Sequence, residues 1–248
     1  MLTDRGRVRV EKSYKRVRAL LGGEVVVDST APLLVWEVPY YPTYYFPDAD
    51  VRTDLLVETG ETRRSPSRGE ATQYTVKAGG KEGAAYAFLQ PKMAELEGHI
   101  AFVWKTLDHW FEEEEEVYVH PRDPYTRIDI LPSSRRVRVE IDGVTVADST
   151  NGRFLFETGL PTRYYIPKTD VRMDLLTPTD LATACPYKGT ARYWNVTIEG
   201  NVHENIVWGY DTPLQESLDI AGLVAFYNEK LDIYIDEVLE DRPKTKFS

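Results

Sequence analysis

Short runs of alternating or continuously apolar residues, four to eight long and bounded by Pro and Gly, recur along this chain. That pattern predicts strands of sheet. Leu33 to Val38, Thr43 to Phe46 and Ala71 to Val76 read this way, as do Phe154 to Thr158, Arg163 to Ile166 and Ala191 to Ile198. Val137 to Ile141 and Val144 to Ala147 are β-prone runs joined by Asp142-Gly143. Asp-Gly suits a two-residue turn in which both residues need φ > 0, so a hairpin is expected there. Gly22-Gly23 stands at the matching place earlier in the chain. Two later segments change period. Ile220, Leu223, Val224, Tyr227, Leu231 and Tyr234 recur at spacings of three, four and seven, one face of a helix. Thr212, Pro213 and Gln215 are placed to start it, and Gly222 to interrupt it. Ile100, Val103, Trp104, Leu107 and Phe111 repeat the pattern in the first half. The expected fold class is mainly β with α (α+β): two tandem β-rich, barrel- or sandwich-like domains, each closed by a C-terminal helix.

The word tandem rests on an internal repeat. RVRALLGGEVVVDST from Arg16 returns as RVRVEIDGVTVADST from Arg136, and at this offset 23 of the 61 pairs from Arg16/Arg136 to Val76/Val196 are identical. A period this long is not that of a solenoid, whose repeats run about 20–50 residues. It predicts a first domain over 8–118, an extended proline-stiffened linker over 119–132, and a second domain over 133–242, with Lys244 to Ser248 frayed. It also supplies a comparison, because a group present in one copy can be sought in the other.

Composition narrows the classes of function. The chain is 42% hydrophobic and 28% charged, as a globular domain is. The formal charge is -10, and the longest charge run is the acidic Glu112 to Glu116, expected to be a solvated helix end. Nucleic-acid binding, which draws on clustered Lys and Arg, is not expected. No apolar run approaches the ~20 residues that span a bilayer, so no membrane partner is expected. The basic N-terminus is not followed by an apolar segment, which argues against a secretory signal. With a single cysteine, Cys185, the default setting is cytoplasmic. The histidines His99, His109, His120 and His203 have no HxH or HExxH spacing, so neither a metal nor another cofactor is implied. His99 and His109 are expected on the packed helix of the first domain.

Several stretches carry a resemblance: VHPRDPYTRIDILPSSRRVRVEIDGVTVADST, ETGLPTRYYIPKTDVRMDLL, CPYKGTARYWNV and DIAGLVAFYNEKLD. They resemble an uncharacterised bacterial family, domain of unknown function 427, which also carries a nucleotidyltransferase-type label. The resemblance implies a compact β fold with a helix, often in tandem, and no established activity. The residues do not support the label. A Gly-Ser turn followed by paired carboxylates for two Mg²⁺ ions is missing. Asp170 and Asp174, like Asp50 and Asp54, flank an Arg (Arg172 or Arg52), and an internal ion pair explains them.

The sharpest constellation is Cys185-Pro186-Tyr187-Lys188-Gly189, followed by Arg192, Tyr193 and Trp194. A Lys three residues from a Cys favours the thiolate, and with Arg192 it can hold an anion. Set against the first copy at the repeat offset, Ser65-Pro66-Ser67-Arg68-Gly69 keeps the turn and the cation but not the thiol or the tyrosine. At the same offset His203-Glu204-Asn205 and Trp208-Gly209-Tyr210 face Gly83-Ala84-Ala85 and Phe88-Leu89-Gln90, so the first copy reads as having lost polar and aromatic groups. The groups both copies share, among them Glu37/Glu157 and Tyr44/Tyr164, read as framework. The expectation is a small polar or anionic ligand in an aromatic, cationic pocket of the second domain, lined by Tyr187, Arg192, Trp194, Asn205, Trp208 and Tyr210. Alternatives are an enzyme with Cys185 as nucleophile and Lys188 as its electrostatic partner, or a structural protein that takes no ligand.

Overall fold

The computed structural model describes residues 8–245. The basic N-terminal residues before Val8 and the last three residues of the expected frayed tail lie outside the described residues. The chain divides into two compact units, Met1–Asp123 and Pro124–Ser248. The boundary falls inside the expected linker, whose second half already belongs to a strand of the second unit.

The strands of the first unit are β1 (Arg9–Lys12), β2 (Val17–Leu21), β3 (Glu24–Ser29), β4 (Leu33–Val38), β5 (Tyr41–Pro47), β6 (Leu56–Ser65), β7 (Gly69–Ala78), β8 (Lys81–Ala87), β9 (His99–Phe102), β10 (His109–Glu112) and β11 (Glu115–Glu116). Those of the second are β12 (Ile128–Ser133), β13 (Val137–Ile141), β14 (Val144–Ser149), β15 (Gly152–Glu157), β16 (Arg163–Tyr165), β17 (Leu176–Cys185), β18 (Gly189–Ile198), β19 (Asn201–Gly209), β20 (Val224–Phe226), β21 (Asp232–Ile235) and β22 (Val238–Leu239). The first unit has a sheet in the order β1-β4-β5-β9-β8-β7-β6 and another in the order β11-β10-β2-β3, all antiparallel. The second unit repeats this arrangement. Its β22-β21-β13-β14 sheet matches the smaller one, and β12-β15-β16 meets β20-β19-β18-β17 through reciprocal bonds between Ile166 and Val224, at 2.7 and 3.0 Å. None of these sheets closes into a barrel.

The predicted strands and the Asp142-Gly143 hairpin are present. Ile141 pairs with Val144, and the turn residues take φ of 50° and 78°. Gly22 and Gly23 turn the first-unit hairpin with φ of 58° and 83°.

The C-terminal helices are absent. Where the helical period was read, the chain forms β9, a short 3-10 turn and β10 in the first unit. In the second it forms a 3-10 stretch over Gln215–Ile220, then β20 and β21. The spacing misled because two short strands follow one another across a turn. Val224, Ala225 and Phe226 are all buried, since β20 has packing on both faces, while β21 buries Ile233 and Ile235 with period two. Gly222, at φ +73°, turns the chain into β20. His99 and His109 therefore sit on strands. The acidic run is a strand-turn-strand with Glu113 at φ +51°, and Glu112 is buried, accepting bonds from Lys15 and the Tyr44 hydroxyl at 2.5 Å each. Of the segment expected to fray, Thr245 is fastened by a 2.7 Å bond to Glu229. No helix among the described residues is long and apolar enough to cross a membrane.

Each large sheet is apolar on both faces. On β4 and β5, Leu34, Trp36, Tyr44 and Phe46 point to the smaller sheet, while Leu33, Val35 and Tyr45 point the other way into a second cluster. In the second unit, Phe154, Tyr164 and Ile166 face one core, and Leu155 and Tyr165 the other. The second face is roofed by the first strand of the unit and by the segment following β8 or β19, which supplies Leu96 in one unit and Ile220 and Leu223 in the other.

One feature of the first unit makes a stability prediction. The turn at Gly79 (φ +51°) presses on the hairpin at Gly22, and a Cβ built on Gly79 would lie 2.0 Å from the Gly22 carbonyl oxygen. Gly80 (φ +76°) has open space around it. Gly79→Ala is expected to cost about 2 kcal/mol or more, from left-handed strain plus a backbone clash. Gly80→Ala carries only the strain, about 1 kcal/mol. Denaturant midpoints of the two variants check the difference.

Candidate functional site

The chemistry collects on the second face of the large sheet. In the first unit Glu37, at the end of β4, meets Arg68, which sits in the turn between β6 and β7. The Tyr45 and Tyr86 hydroxyls both donate to Oε1 of Glu37, at 2.5 and 2.8 Å. Arg68 also donates to the Tyr45 oxygen at 3.2 Å and to Ser65 Oγ at 3.1 Å. Burial on its own would raise the Glu37 pKa. The bonds from Arg68 and Tyr45, the Arg68 charge and the Tyr86 bond outweigh it and hold Glu37 below the ordinary carboxylate value. Burial, with the nearby carboxylate, pushes the Tyr45 and Tyr86 phenols upward, so they remain donors.

The second unit builds the same pair from Glu157 and Lys188. Tyr165 takes the place of Tyr45, but its surroundings differ. The Trp208 indole donates to the Tyr165 oxygen at 3.1 Å. Among the described residues, the Lys188 ammonium is the donor that reaches Glu157 Oε2, and none reaches Oε1. The Glu157 side chain is 9% exposed. It borders a shallow cleft of about 250 Å³ lined by Arg127, Asp129, Phe156, Glu157, Thr158, Leu160 and Thr162.

A second ionic cluster on this face belongs to the second unit alone. Arg163, on β16, forks onto both oxygens of Glu229 at 2.6 Å each and also donates to Asn228. Its guanidinium lies 5.4 Å from the Trp208 ring centre and 6.0 Å from that of Tyr227. Burial works to raise the Glu229 pKa. The bonds from Arg163 and Thr245 and the Arg163 charge overcome it and leave the group below the usual carboxylate range. The repeat aligns Arg163 with Thr43, so this pair has no first-unit counterpart.

The residues expected to line one pocket divide between two faces and a bulge. Trp208 and Tyr210 lie in the second-face cluster with Tyr193 and Tyr165. Cys185 ends β17, is half-buried, and is close enough to perturb Tyr165 and Tyr210. Tyr187 and Lys188 form the buried β17–β18 turn. The Ser217 hydroxyl donates to the Tyr187 carbonyl at 3.3 Å, and the Leu214 amide to that of Lys188 at 3.2 Å. Trp194 points instead into the core between the sheets, under the Lys168 ammonium 5.1 Å away. Arg192 is exposed, 3.7 Å from Asp211. Asn205 occupies a bulge in β19 at φ +51°, where its side chain accepts from the Thr179 hydroxyl at 2.7 Å.

That bulge corrects the comparison between the copies. In the first unit β7 and β8 pair without interruption from Thr72/Ala87 to Ala78/Lys81. In the second, Trp194 pairs with Val207 but Val196 with His203, so β19 carries two extra residues. Beyond the bulge the repeat offset moves from 120 to 122, and Trp208 and Tyr210 match Tyr86 and Phe88. The first copy has kept its aromatic residues. What differs is how far the buried pair is satisfied. The sequence reading missed Glu157 as a site residue by placing it in the framework. Its signal was an acid at 37 and 157 accompanied by a cation at 68 and 188, as Arg in one copy and Lys in the other.

The carboxylates of the DVRxD stretches are occupied within the protein. Arg172 binds Asp174 through two bonds of 2.9 and 2.7 Å, Arg52 binds Asp54 at 2.8 and 2.7 Å, and Asp170 and Asp50 accept serine hydroxyls at 2.6 Å. Arg52 and Arg172 are raised and Asp54 and Asp174 lowered, chiefly by these bonds.

Two copies of one antiparallel β unit, each with a carboxylate–cation pair on its second face, therefore make up the chain. The sequence model for a domain of unknown function, DUF427, matches residues 9–113 and again 129–237. The chain belongs to this family and holds two tandem copies of its domain. No curated protein matches it.

Proposed function

We propose that the protein binds a small polar ligand in its second unit and does so without catalysis. The observation that carries this reading is the cleft that borders Glu157, together with the number of donors the pair holds: among the described residues Lys188 alone donates to Glu157, whereas Arg68, Tyr45 and Tyr86 all converge on Glu37. A carboxylate with one protein donor keeps more acceptor capacity than one that already takes three. A ligand that donates a hydrogen bond can use that capacity. Binding is favoured over covalent chemistry because Lys188, the cation nearest Cys185 in sequence, is held by Glu157. The same pairing favours a polar ligand over an anionic one, since the positive charge is already matched.

The test is a two-dimensional NMR screen of the full chain against small cationic, neutral and anionic compounds. Binders should shift amides in residues 127–129 and 156–162 and leave the first unit unmoved. Cys185→Ser should bind equally well. If no compound perturbs the cleft, or if binders favour the first-unit turn at Arg68, this reading is wrong.

A further inference from the structure

We infer that Cys185 is a site of reversible oxidation, its sulfur taking one oxygen atom from a small peroxide and the Tyr210 hydroxyl holding that oxygen. Cys185 is half-buried at the end of β17, and among the described residues no hydrogen-bond partner reaches its sulfur. Its side chain points to the second face, since it lies two residues beyond Thr183, whose hydroxyl meets that of Tyr193 at 2.8 Å. Cys185 pairs with Gly189 and Thr183 with Ala191. Arg192 pairs with Gly209, so Tyr210 follows at the level of Ala191. On β18 the residues between the sulfur and the Tyr210 ring are therefore Gly189 and Ala191, which have almost no side chain to separate them.

Two buried hydroxyls beside the sulfur lack a partner for their protons. Tyr210 is 5% exposed, and among the described residues its hydroxyl makes no hydrogen bond. Tyr165 is 1% exposed; its oxygen accepts from Trp208 at 3.1 Å, but among the described residues nothing accepts its proton. Burial pushes both phenols upward, so each remains a donor, and Cys185 lies near enough to add to the rise in both. A buried donor without an acceptor is costly. The first unit differs at each of these positions. Ser65, in place of Cys185, accepts from Arg68 Nε at 3.1 Å and from the Arg68 amide at 3.3 Å. Tyr45, in place of Tyr165, donates to Glu37 at 2.5 Å, and Phe88, in place of Tyr210, has no hydroxyl. One oxygen on the sulfur supplies the acceptor that Tyr210 lacks, with Tyr165 alongside. In that step the thiolate sulfur attacks one peroxide oxygen and the O–O bond breaks as the S–O bond forms. The departing hydroxide leaves as water with the thiol proton; sulfur is oxidised by two electrons and the peroxide reduced by two. Two equivalents of a small thiol reverse the change: the first displaces water to give a mixed disulfide, and the second releases Cys185. Cys185 is the sole cysteine, so no intrachain disulfide intervenes. The modification is stoichiometric, without turnover, and independent of ligand binding at the cleft, whose lining does not include Cys185.

The experiment treats the full chain with hydrogen peroxide at neutral pH in the presence of dimedone, which captures sulfenic acids, and locates adducts by peptide mass. The native chain should carry dimedone on Cys185 and, when dimedone is left out, return to the thiol on addition of glutathione. Cys185→Ser should carry none. Tyr210→Phe should cut the captured fraction about tenfold at equal exposure and raise the sulfinic product, since the oxygen loses its hydrogen bond. With the sulfur reduced, Tyr210→Phe should unfold at a denaturant midpoint equal to or above that of the native chain, because its hydroxyl has no partner to lose. A Cys185 that stays a thiol under peroxide, or one captured equally in the native chain and Tyr210→Phe, would overturn the assignment. A Tyr210→Phe variant less stable than the native chain would show that the hydroxyl is already engaged and would overturn it too.

Discussion

Arg163→Met is expected to destabilise the second unit by about 3–5 kcal/mol. The Glu229 side chain has 0% exposure and both of its oxygens are held by the Arg163 fork. Removing the guanidinium leaves the Thr245 hydroxyl, at 2.7 Å, as a donor to a fully buried carboxylate. It also takes the cation from beside Trp208 and Tyr227. The cost comes from stranding a charge, not from the net strength of the pair, so Glu229→Leu in the Arg163→Met background should recover most of it. Hydrogen exchange of the full chain, read in peptides from β16, β19 and β20, measures the effect. A loss under about 1 kcal/mol, of the size of an exposed pair, would refute this account of the cluster.

Glu37→Leu is expected to cost the first unit a similar amount, about 3–5 kcal/mol. It strands Arg68, which cannot shed its proton as a lysine can, and leaves the Tyr45 and Tyr86 hydroxyls without their acceptor. The carboxylates also set an acid limit. Glu37 and Glu229 are both held below their ordinary value of 4.5. A group depressed in the folded state contributes stability that is present above its unfolded value and disappears as pH falls through its folded one. Both units should therefore weaken progressively below about pH 4.5. In Glu37→Leu the acid dependence of the first unit should flatten while that of the second persists. Unfolding midpoints measured from pH 7 down to pH 3 check this.

Most strands could be read from the chain, because Pro, Gly and β-branched residues punctuate them and the repeat confirms each one twice. Asp142-Gly143 announced its hairpin for a local reason, the need for positive φ at both turn positions. The helices failed for a nonlocal reason. Val224-Ala225-Phe226 is packed from both sides, so its strand shows no alternation, and the next strand falls at a spacing that imitates a helix. The site was partly visible. Lys188, Trp208 and Tyr210 do lie on the second face, but Trp194 alternates away from them and Arg192 faces solvent. Glu157 was hidden by its own repetition, since presence in both copies looked like framework. The two extra residues at the Asn205 bulge could not be placed from the sequence. They shifted the comparison so that Trp208 and Tyr210 seemed to have no aromatic partners in the first copy. With the register corrected, the difference between the copies is a matter of hydrogen bonding: three donors converge on Glu37, whereas Lys188 alone among the described residues donates to Glu157.

Glu37→Gln and Glu157→Gln, compared in the full chain by hydrogen exchange, test that difference most directly. Gln keeps the shape and one acceptor, so each variant reports what the charge was holding. The account predicts that Glu37→Gln accelerates exchange across β4, β5 and β8 at least about tenfold more than Glu157→Gln does across β15, β16 and β19, because Lys188 can lose its proton where Arg68 cannot. Equal acceleration in the two units, or a greater one in the second, would contradict it and return Glu157 to the framework.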